Sequence, residues 1–234
     1  MQYWAGDQAR ALQLARFIAD LQSSHSEQAD FMFSRRFDCP DESQGTVDYV
    51  SRKFNVHILR CPRRGQGWPG GCNELALGTL ENIYHRMESG RIPHYRAVFL
   101  AESDCCPLHK DWIALLSTRW EVLARDRKIC IAGAFVQGDG IHLHINGSAM
   151  VSTDLEFLKW LTKMSHCRPG VGWDYCLAKE FERRGWAAMP GMQCHWHSPP
   201  MTERRFLELL EAKVIFHHGD KSEELLKLSR KHLL

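Results

Sequence analysis

The sequence predicts an α/β fold built on a mixed, mostly parallel sheet with helices on both faces. Strand and helix patterns alternate through the first part of the chain, which favours parallel crossover connections. A short apolar run at 97–101 has the composition of a strand that is buried on both faces. Two further apolar segments, 129–136 and 141–151, flank the turn signal Gly138-Asp139-Gly140 and therefore predict an antiparallel hairpin.

Hydrophobic spacing defines the elements of the N-terminal part. Apolar residues recur at helical intervals where helices are predicted, and short apolar runs bounded by charged or turn residues mark the strands. The predicted order is strand 1–4, helix 7–22, strand 31–34, helix 47–54, strand 56–59 and helix 72–87. Strands that alternate with helices in this way are expected to lie side by side in a parallel sheet.

The C-terminal part is predicted on the same grounds. Trp112, Leu116 and Trp120 share one apolar helix face, and Gly185 supplies a helix end. The predicted order is strand 97–101, helix 111–123, strands 129–136 and 141–151, helices 155–164 and 173–184, an irregular segment 188–201, helix 203–210, strand 213–216 and helix 223–232. No repeat or linker interrupts this order, so one domain over 1–234 is expected.

Composition excludes several classes of protein. The 234 residues are 44% hydrophobic and 25% charged, and the formal net charge of +2 permits a polyanionic partner without requiring one. The nine cysteines are an odd number without a C-x-x-C pair, which argues against a disulfide framework and favours the reducing cytoplasm. Because no apolar run approaches about 18 residues, we expect no membrane span.

The strand at 97–101 ends abruptly in Glu102-Ser103-Asp104. The carboxyl edge of an open α/β sheet is where such folds bind ligands, and carboxylates there suit Mg²⁺ or Mn²⁺ completed by substrate phosphates. The spacing therefore predicts a metal and nucleotide site. The alternative is that Asp104 caps the following element while Glu102 is solvated.

The loop at 60–71 is the best phosphate-binding candidate. It contains Arg60, Arg63 and Arg64 together with several glycines, and it opens a long helix whose first N–H groups are free to bind an anion. It matches neither the Walker pattern nor G-x-G-x-x-G. The alternative is an ordinary surface loop with solvated arginines.

Taken in chain order, four segments resemble the small glycosyltransferases of the GT-A fold. They are the Arg-Gly loop with the helix start at Asn73, the acidic strand end Glu102-Ser103-Asp104, the segment Gly172-Trp173-Asp174, and the pair His217-His218. The acidic strand end resembles the D-x-D motif of that family with glutamate in first place. The Gly-Trp-Asp segment resembles its G-W-[DE]-D-x-D-L region, although the directly following acid is missing.

The resemblance implies transfer of a sugar from a nucleotide-sugar, with a UDP-sugar favoured, to an acceptor hydroxyl. Asp104 and one of His217 and His218 would bind Mn²⁺ or Mg²⁺. Asp174 would be the catalytic base of an inverting enzyme, or would orient the acceptor in a retaining one. Donor binding is implied for Arg60, Arg63, Arg64, Gly65, Asn73, Glu102 and Ser103 within a nucleotide-binding half, about 1–108. Asn146 and Trp173 would bind the acceptor, a glycan or a small molecule, within the other half, about 109–234.

Other functions fit the same residues. The chemistry could act on a hydroxymethylated pyrimidine base in DNA, as in some bacteriophage enzymes, which would place the protein in the cytoplasm of an infected bacterium. A nucleotidyltransferase would use similar carboxylates. A non-catalytic zinc-binding module would instead use His142 and His144 together with the cluster Cys194, His195 and His197. A nucleic-acid-binding module would use the basic pairs Arg35-Arg36, Arg52-Lys53, Arg183-Arg184 and Arg204-Arg205.

Overall fold

The computed structural model describes residues 1–41, 43–126, 128–138, 141–164, 170–195 and 200–234. Helices and strands alternate along these residues, so the predicted α/β class is confirmed. The strands are β1 (Gln2–Tyr3), β2 (Phe31–Arg35), β3 (Val56–Arg60), β4 (Ala97–Phe99), β5 (Cys105–Pro107), β6 (Ile131–Gly138), β7 (Ile141–Ser152), β8 (Trp186–Ala188), β9 (Met192–Cys194) and β10 (Phe216–His218). The helices are α1 (Gln8–Asp20), α2 (Gln44–Ser51), α3 (Cys72–Glu88), α4 (Trp112–Asp126), α5 (Leu155–Thr162), α6 (Trp173–Cys176), α7 (Ala178–Arg184), α8 (Glu203–Glu211) and α9 (Glu224–Leu233), with a wide helical turn at Gly67–Gly71 before α3.

The described strands form three sheets where one was expected. The first has the order β1-β2-β3 and is parallel throughout, as predicted from its alternation with helices. The second has the order β4-β7-β6-β8 and contains the predicted antiparallel pair β6 and β7. The third, β5-β10-β9, pairs β10 antiparallel to β5 and parallel to β9.

Strand β4 departs from its prediction. It pairs antiparallel with β7, and all three of its residues are only half-buried, whereas the apolar run predicted a strand buried on both faces. Just beyond its end, Ala101 O accepts a backbone bond from Gln2 N of the first sheet at 2.7 Å. The carboxyl ends of β1 and of the β4 segment therefore lie together.

Two hydrophobic clusters form the core. The larger draws on α1, β2, α4, α8 and α9, with Phe17, Phe33 and Phe206 fully buried. The other lies between α3, β7, α5 and α7, where Leu80 and Phe181 are buried. Helix α3 is the longest described helix at 17 residues, and among the described residues none has the length and apolar character needed to cross a membrane.

Several helix and strand boundaries predicted for the C-terminal part differ from those in the structure. The helix expected over 173–184 is divided at Leu177 into α6 and α7. The segment 188–201, expected to be irregular, contains β9, and the expected strand at 213–216 lies slightly later as β10. Strands of three residues such as β5 show too little periodicity to be recognised from sequence.

Candidate functional site

The acidic strand end lies where β1 and β4 terminate. Glu102 is partly open to solvent, with 41% of its side chain exposed, whereas Asp104 has only 11% exposed. Between them, Ser103 Oγ donates to Asp7 Oδ2 at 2.7 Å, which ties the strand end to the segment that follows β1. Ser103, predicted to bind the donor, therefore has its hydroxyl engaged within the protein.

Of the two late histidines, His218 is the one that reaches the carboxylates. Its Nε2 lies 3.2 Å from Asp104 Oδ1 and 3.5 Å from Glu102 Oε2. Neighbouring residues of a strand point to opposite faces, so His217 turns away and its Nε2 lies 2.9 Å from Nδ1 of His195. The choice between the two histidines, left open by the sequence, thus favours His218.

Asp104 and His218 form a buried ion pair. Burial opposes ionisation of Asp104, but His218 holds the pKa of this carboxyl below its ordinary value. Burial also opposes the charged imidazolium, yet Cys105 and Asp104 raise the pKa of His218 well above its ordinary value. For His217, in contrast, burial and the neighbouring histidines lower the pKa to about 3, so this ring is neutral.

Asp104 and His218 lie close enough together to bind one cation between them. Ligand atoms of Asp104, Cys105 and His218 all lie within 4.8 Å of one another. Asp104 Oδ1 is buried and faces His218 Nε2 at 3.2 Å. When two ligand atoms bind one cation at right angles with bonds of about 2.1 Å, they lie about 3 Å from each other. The 3.2 Å between Asp104 Oδ1 and His218 Nε2 is close to this distance. Asp104 and His218 therefore fit a divalent metal.

Cys105 fits a hard cation less well. Its Sγ lies 3.1 Å from Ser148 Oγ, and burial raises the pKa of the thiol to about 12. Mg²⁺ and Mn²⁺ prefer oxygen ligands, whereas a thiolate suits Zn²⁺. Asp104 thus suits Mg²⁺ or Mn²⁺, whereas participation of Cys105 would favour Zn²⁺.

A second carboxylate faces the same site across Gly147. A Cβ atom on this glycine would lie 3.3 Å from Trp173 Nε1, 3.5 Å from Asp174 Oδ2 and 3.6 Å from Glu102 Oε1. The missing side chain therefore lets the start of α6 and the acidic strand end approach each other over β7. The sequence did not point to Gly147, although its neighbour Asn146 was expected to bind the acceptor.

Asp174 is held by backbone groups in a largely buried position. Its Oδ1 accepts from Tyr175 N at 2.9 Å, and Gly147 N also donates to the carboxylate. Burial raises the pKa of Asp174, His144 opposes this shift, and the negative charge of Glu102 adds to it. A carboxylate with a raised pKa beside a second acid is suited to accept a proton.

Asn73 positions this region instead of facing the donor site. The amide Nδ2 donates to Val171 O at 2.8 Å, and Oδ1 accepts from Trp173 N at 2.6 Å. The side chain is buried, and Trp173 itself is only 4% exposed. Both polar groups of Asn73 are thereby used to fix the entry to α6 and hence Asp174.

Replacing Asn73 with Ala should remove the hydrogen bonds that hold the start of α6. We expect a loss of about 2 kcal/mol in the free energy of unfolding, because two buried hydrogen bonds and some packing disappear. For a chain of this length the melting temperature should fall by about 4–8 °C in a thermal-unfolding measurement. Asn82→Ala, on an exposed part of the same helix, is the matched control and should change it little. Equal effects of the two substitutions would contradict the assignment.

The predicted phosphate loop places its arginines elsewhere. Arg63 is pinned by Glu81 Oε2 at 2.7 Å and by Thr162 O at 3.0 Å. Arg60 donates to Phe37 O at 3.1 Å, and the exposed Arg64 lies over the Phe37 ring. These contacts hold the loop against its neighbours, so the three arginines are not gathered at the carboxylates.

Gly65 serves the loop itself. A Cβ atom there would lie 2.5 Å from Glu74 Cγ and 2.7 Å from Gly70 O. The glycine thus allows the loop to fold onto the first turn of α3. Asn146, predicted to contact the acceptor, is likewise engaged internally, since its Oδ1 accepts from Ser148 N at 3.0 Å.

Arg36 is a cation near this site that the sequence suggested only as part of a DNA-contacting basic pair. It directly follows β2, at the same sheet edge as the acidic strand end, and binds Asp38 through two bonds of 2.7 and 2.6 Å. The guanidinium lies over the Trp4 ring, 5.1 Å from its centroid, and a Cβ atom on Gly71 would approach its Nη1 to 2.8 Å. The start of α3 and a buried arginine therefore share one location.

Cys72 links that location to the carboxylates. Burial and the nearby Glu102 and Asp7 raise the pKa of this thiol to about 11, while Arg36 opposes the shift. The interaction places the first residue of α3 within electrostatic reach of the acidic strand end. The signal in the sequence was the pair of arginines directly after a buried strand.

No protein-family model matches this sequence, and no curated protein is significantly similar to it. The interpretation of the site therefore depends on the geometry and chemistry of its residues.

The alternative zinc cluster is only partly described. Cys194 Sγ lies 3.2 Å from Nδ1 of His218, and His197 lies outside the described residues. His142 stacks on Tyr175, with 3.7 Å between ring centroids, and His144 lies edge-on to the same ring. The four described members thus have separate local partners, and Cys194 is directed toward His218.

Proposed function

We propose that this protein is a metal-dependent glycosyltransferase that moves a sugar from a nucleotide-sugar, with a UDP-sugar favoured, to an acceptor hydroxyl. One observation carries the proposal: a fitting metal pair, Asp104 and His218, and a partly buried carboxylate of raised pKa, Asp174, both lie beside Glu102. Transfer of a sugar needs charge neutralisation on the leaving diphosphate and a base for the acceptor.

The donor would lie between Arg36, the start of α3 and the acidic strand end. Arg36 supplies positive charge there, and the positive end of the α3 dipole favours phosphate oxygens. Trp4, 45% exposed beside Arg36, offers an aromatic face to a nucleobase. Glu102 is open enough to accept hydrogen bonds from ribose hydroxyls.

Asp104 and His218 would hold the metal. When bound, the ion supplies a positive charge that stabilises the leaving diphosphate. Asp104 is ionised because its pKa is lowered, whereas His218, whose pKa is raised, would have to release its proton to bind the metal.

Asp174 would act on the acceptor side. The acceptor oxygen attacks the anomeric carbon, the bond from that carbon to the diphosphate oxygen breaks, and the acceptor proton passes to the Asp174 carboxylate. The proximity of Glu102 raises the proton affinity of this carboxylate. Trp173 and Gly147 shape the space between the two acids.

A thermal-shift panel tests the donor site. We expect a nucleotide-sugar to raise the melting temperature with Mn²⁺ present and to lose this effect in EDTA. At about 100 times the dissociation constant, binding adds about 2.7 kcal/mol, or about 5–11 °C for a chain of this size. Free sugars and Mn²⁺ alone are the controls. Absence of any metal-dependent shift across nucleotides and nucleotide-sugars would contradict the proposal and favour a binding module.

Turnover assays then identify the acceptor and the bond that is formed. A labelled nucleotide-sugar is incubated with glycans, small alcohols and DNA that contains hydroxymethylated pyrimidines. Transfer of the sugar supports a glycosyltransferase, whereas transfer of the nucleotide would identify a nucleotidyltransferase.

A further inference from the structure

A cavity of about 170 Å³ lies between β2 of the first sheet and β4 of the second. All three residues of β4 line one side of it, and α1, α3 and α4 contribute apolar side chains, among them Ile18, Ile83 and Leu116. An engineered protein cavity of about 150 Å³ can hold one benzene molecule. This cavity is therefore large enough for a single ring with a short substituent.

The cavity has a side that faces solvent. Its lining includes Gln28, which is exposed, and Ile113 and Ser117 of α4, which are half-buried. A small molecule can therefore enter it without separation of the two sheets. The side chains of β4 are also half-buried and apolar, so an occupant that covers them with apolar groups is favoured.

Two buried donors belong to residues that line the cavity. Gln2 Nε2 and Trp112 Nε1 have no hydrogen-bond partner among the described residues, and both residues are at least nine-tenths buried. A buried donor without a partner costs free energy. An occupant that carries an acceptor oxygen would supply the partner that these donors lack.

Asp30 is the one charged side chain among the described residues that line the cavity. The Tyr95 hydroxyl donates to its carboxylate at 2.5 Å and Asn55 Nδ2 donates at 3.1 Å, while His57 Nε2 lies 2.9 Å away. The carboxylate is thus already engaged within the protein. An ionised ligand would lose its hydration without gaining an opposite charge, so a neutral occupant is favoured.

We propose that this cavity is a second ligand site, which binds one neutral, ring-sized and mostly apolar molecule that carries an acceptor oxygen, such as a ketone or ester carbonyl. The volume sets the size of the ligand, the β4 wall its apolar character, the two donors its acceptor and Asp30 its lack of charge. Leu100 and Ala101 also line the cavity, directly before Glu102. The ligand would therefore lie behind the acidic strand end and outside the donor site.

Three small molecules test the chemistry of this site. Acetophenone is the probe, since it has one ring, one carbonyl and no charge; α-methylstyrene has its shape without the acceptor, and benzoate has its size with a negative charge. In NMR titrations of the 234-residue chain, acetophenone should shift the amide signals of Phe99 and Leu116. It should bind about fivefold or more tightly than α-methylstyrene, because it gains a hydrogen bond. Benzoate should bind about tenfold or more weakly than acetophenone.

Two leucine substitutions on α4 test the location. Ser117→Leu adds apolar bulk at a position that lines the cavity, whereas Thr118→Leu adds it at the next position, which is exposed and does not line the cavity. Ser117→Leu should weaken acetophenone binding by about tenfold or more, because it occupies part of the space. Thr118→Leu should bind acetophenone as the parent protein does. The melting temperature without ligand shows whether each variant folds, and the comparison of the three molecules on the parent protein does not depend on any variant.

Three results would overturn the proposal. Absence of acetophenone binding up to its solubility limit would leave the cavity to ordered water. Equal affinity for acetophenone and α-methylstyrene would show that the unpaired donors have no role in binding. Equal binding of acetophenone by folded Ser117→Leu and Thr118→Leu proteins would place the probe elsewhere. None of these measurements uses a nucleotide-sugar or a metal, so failure of this site and failure of the proposed function are distinguishable.

Discussion

Replacing Asp104 with Asn is expected to abolish the metal-dependent stabilisation by nucleotide-sugar and to lower turnover by about a thousandfold or more. The amide keeps the size of the side chain but loses the negative charge that a divalent cation requires. Because Asp104 Oδ1 lies 3.2 Å from His218 Nε2, the substitution also removes one of the two carboxylates beside the imidazole. Donor binding should then no longer respond to EDTA.

The neighbouring histidines provide a stringent control for this prediction. His218→Gln should reproduce the loss of metal dependence, whereas His217→Gln should retain it, because His217 contacts His195 on the opposite face of β10. Asp111→Asn changes an exposed carboxylate outside the site and should behave like the parent protein. Circular dichroism and the melting temperature without ligand show whether each variant folds. Retention of a metal-dependent shift by a folded Asp104→Asn protein would remove the metal role assigned to this residue.

The sequence predicted the acidic strand end because its signal is local. An apolar run followed by two carboxylates defines a strand and its end, and the structure places Glu102 and Asp104 beside the end of β1. The late histidines were ambiguous because the choice depends on which face of β10 meets the carboxylates. The predicted strand at 213–216 lay too early to settle this, since β10 spans Phe216–His218.

The arginine loop shows the limit of local signals. Composition and position favoured phosphate binding by Arg63, but its partners Glu81 and Thr162 are distant in sequence and become neighbours only when α3 and α5 pack together. The same holds for Asn73, whose amide fixes the start of α6. Arg36 was not assigned to the donor site because it lies outside the glycine-rich segment, although it follows a buried strand at the relevant edge.

Helices were easier to predict than short strands because a long helix has a regular local sequence pattern. Helix α3 was expected at 72–87 and spans Cys72–Glu88, since many turns of regular spacing define it. Strands β8 and β9 contain three residues each and depend on pairing with β6 and β10. Their formation is decided by tertiary contacts, to which the local sequence contributes little.

Replacing Asp174 with Asn is expected to lower turnover by about a hundredfold to ten-thousandfold while donor binding stays unchanged. The amide oxygen can still accept from Tyr175 N, so the start of α6 should keep its geometry, but the side chain can no longer take a proton. The dissociation constant of the nucleotide-sugar, measured by thermal shift or calorimetry, should therefore match that of the parent protein. Glu180→Gln, on an exposed part of α7, is the control.

Stability and pH dependence separate this role from a structural one. Burial raises the pKa of Asp174, so the folded protein holds the proton more tightly than the unfolded chain does. The protonated Asp174 side chain contributes its full stabilisation at pH values below the pKa of Asp174 in the unfolded chain. This contribution is lost as the pH rises through the higher pKa of Asp174 in the folded protein. At neutral pH the ionised side chain is thus a cost, and Asp174→Asn should melt at the same temperature or higher. A general base must be ionised, so kcat/KM of the parent protein should fall as the pH drops below the raised pKa of Asp174. The residual kcat/KM of Asp174→Asn should not show this decrease at low pH. A lower melting temperature with an unaltered pH profile would show that Asp174 supports the fold and does not accept the proton.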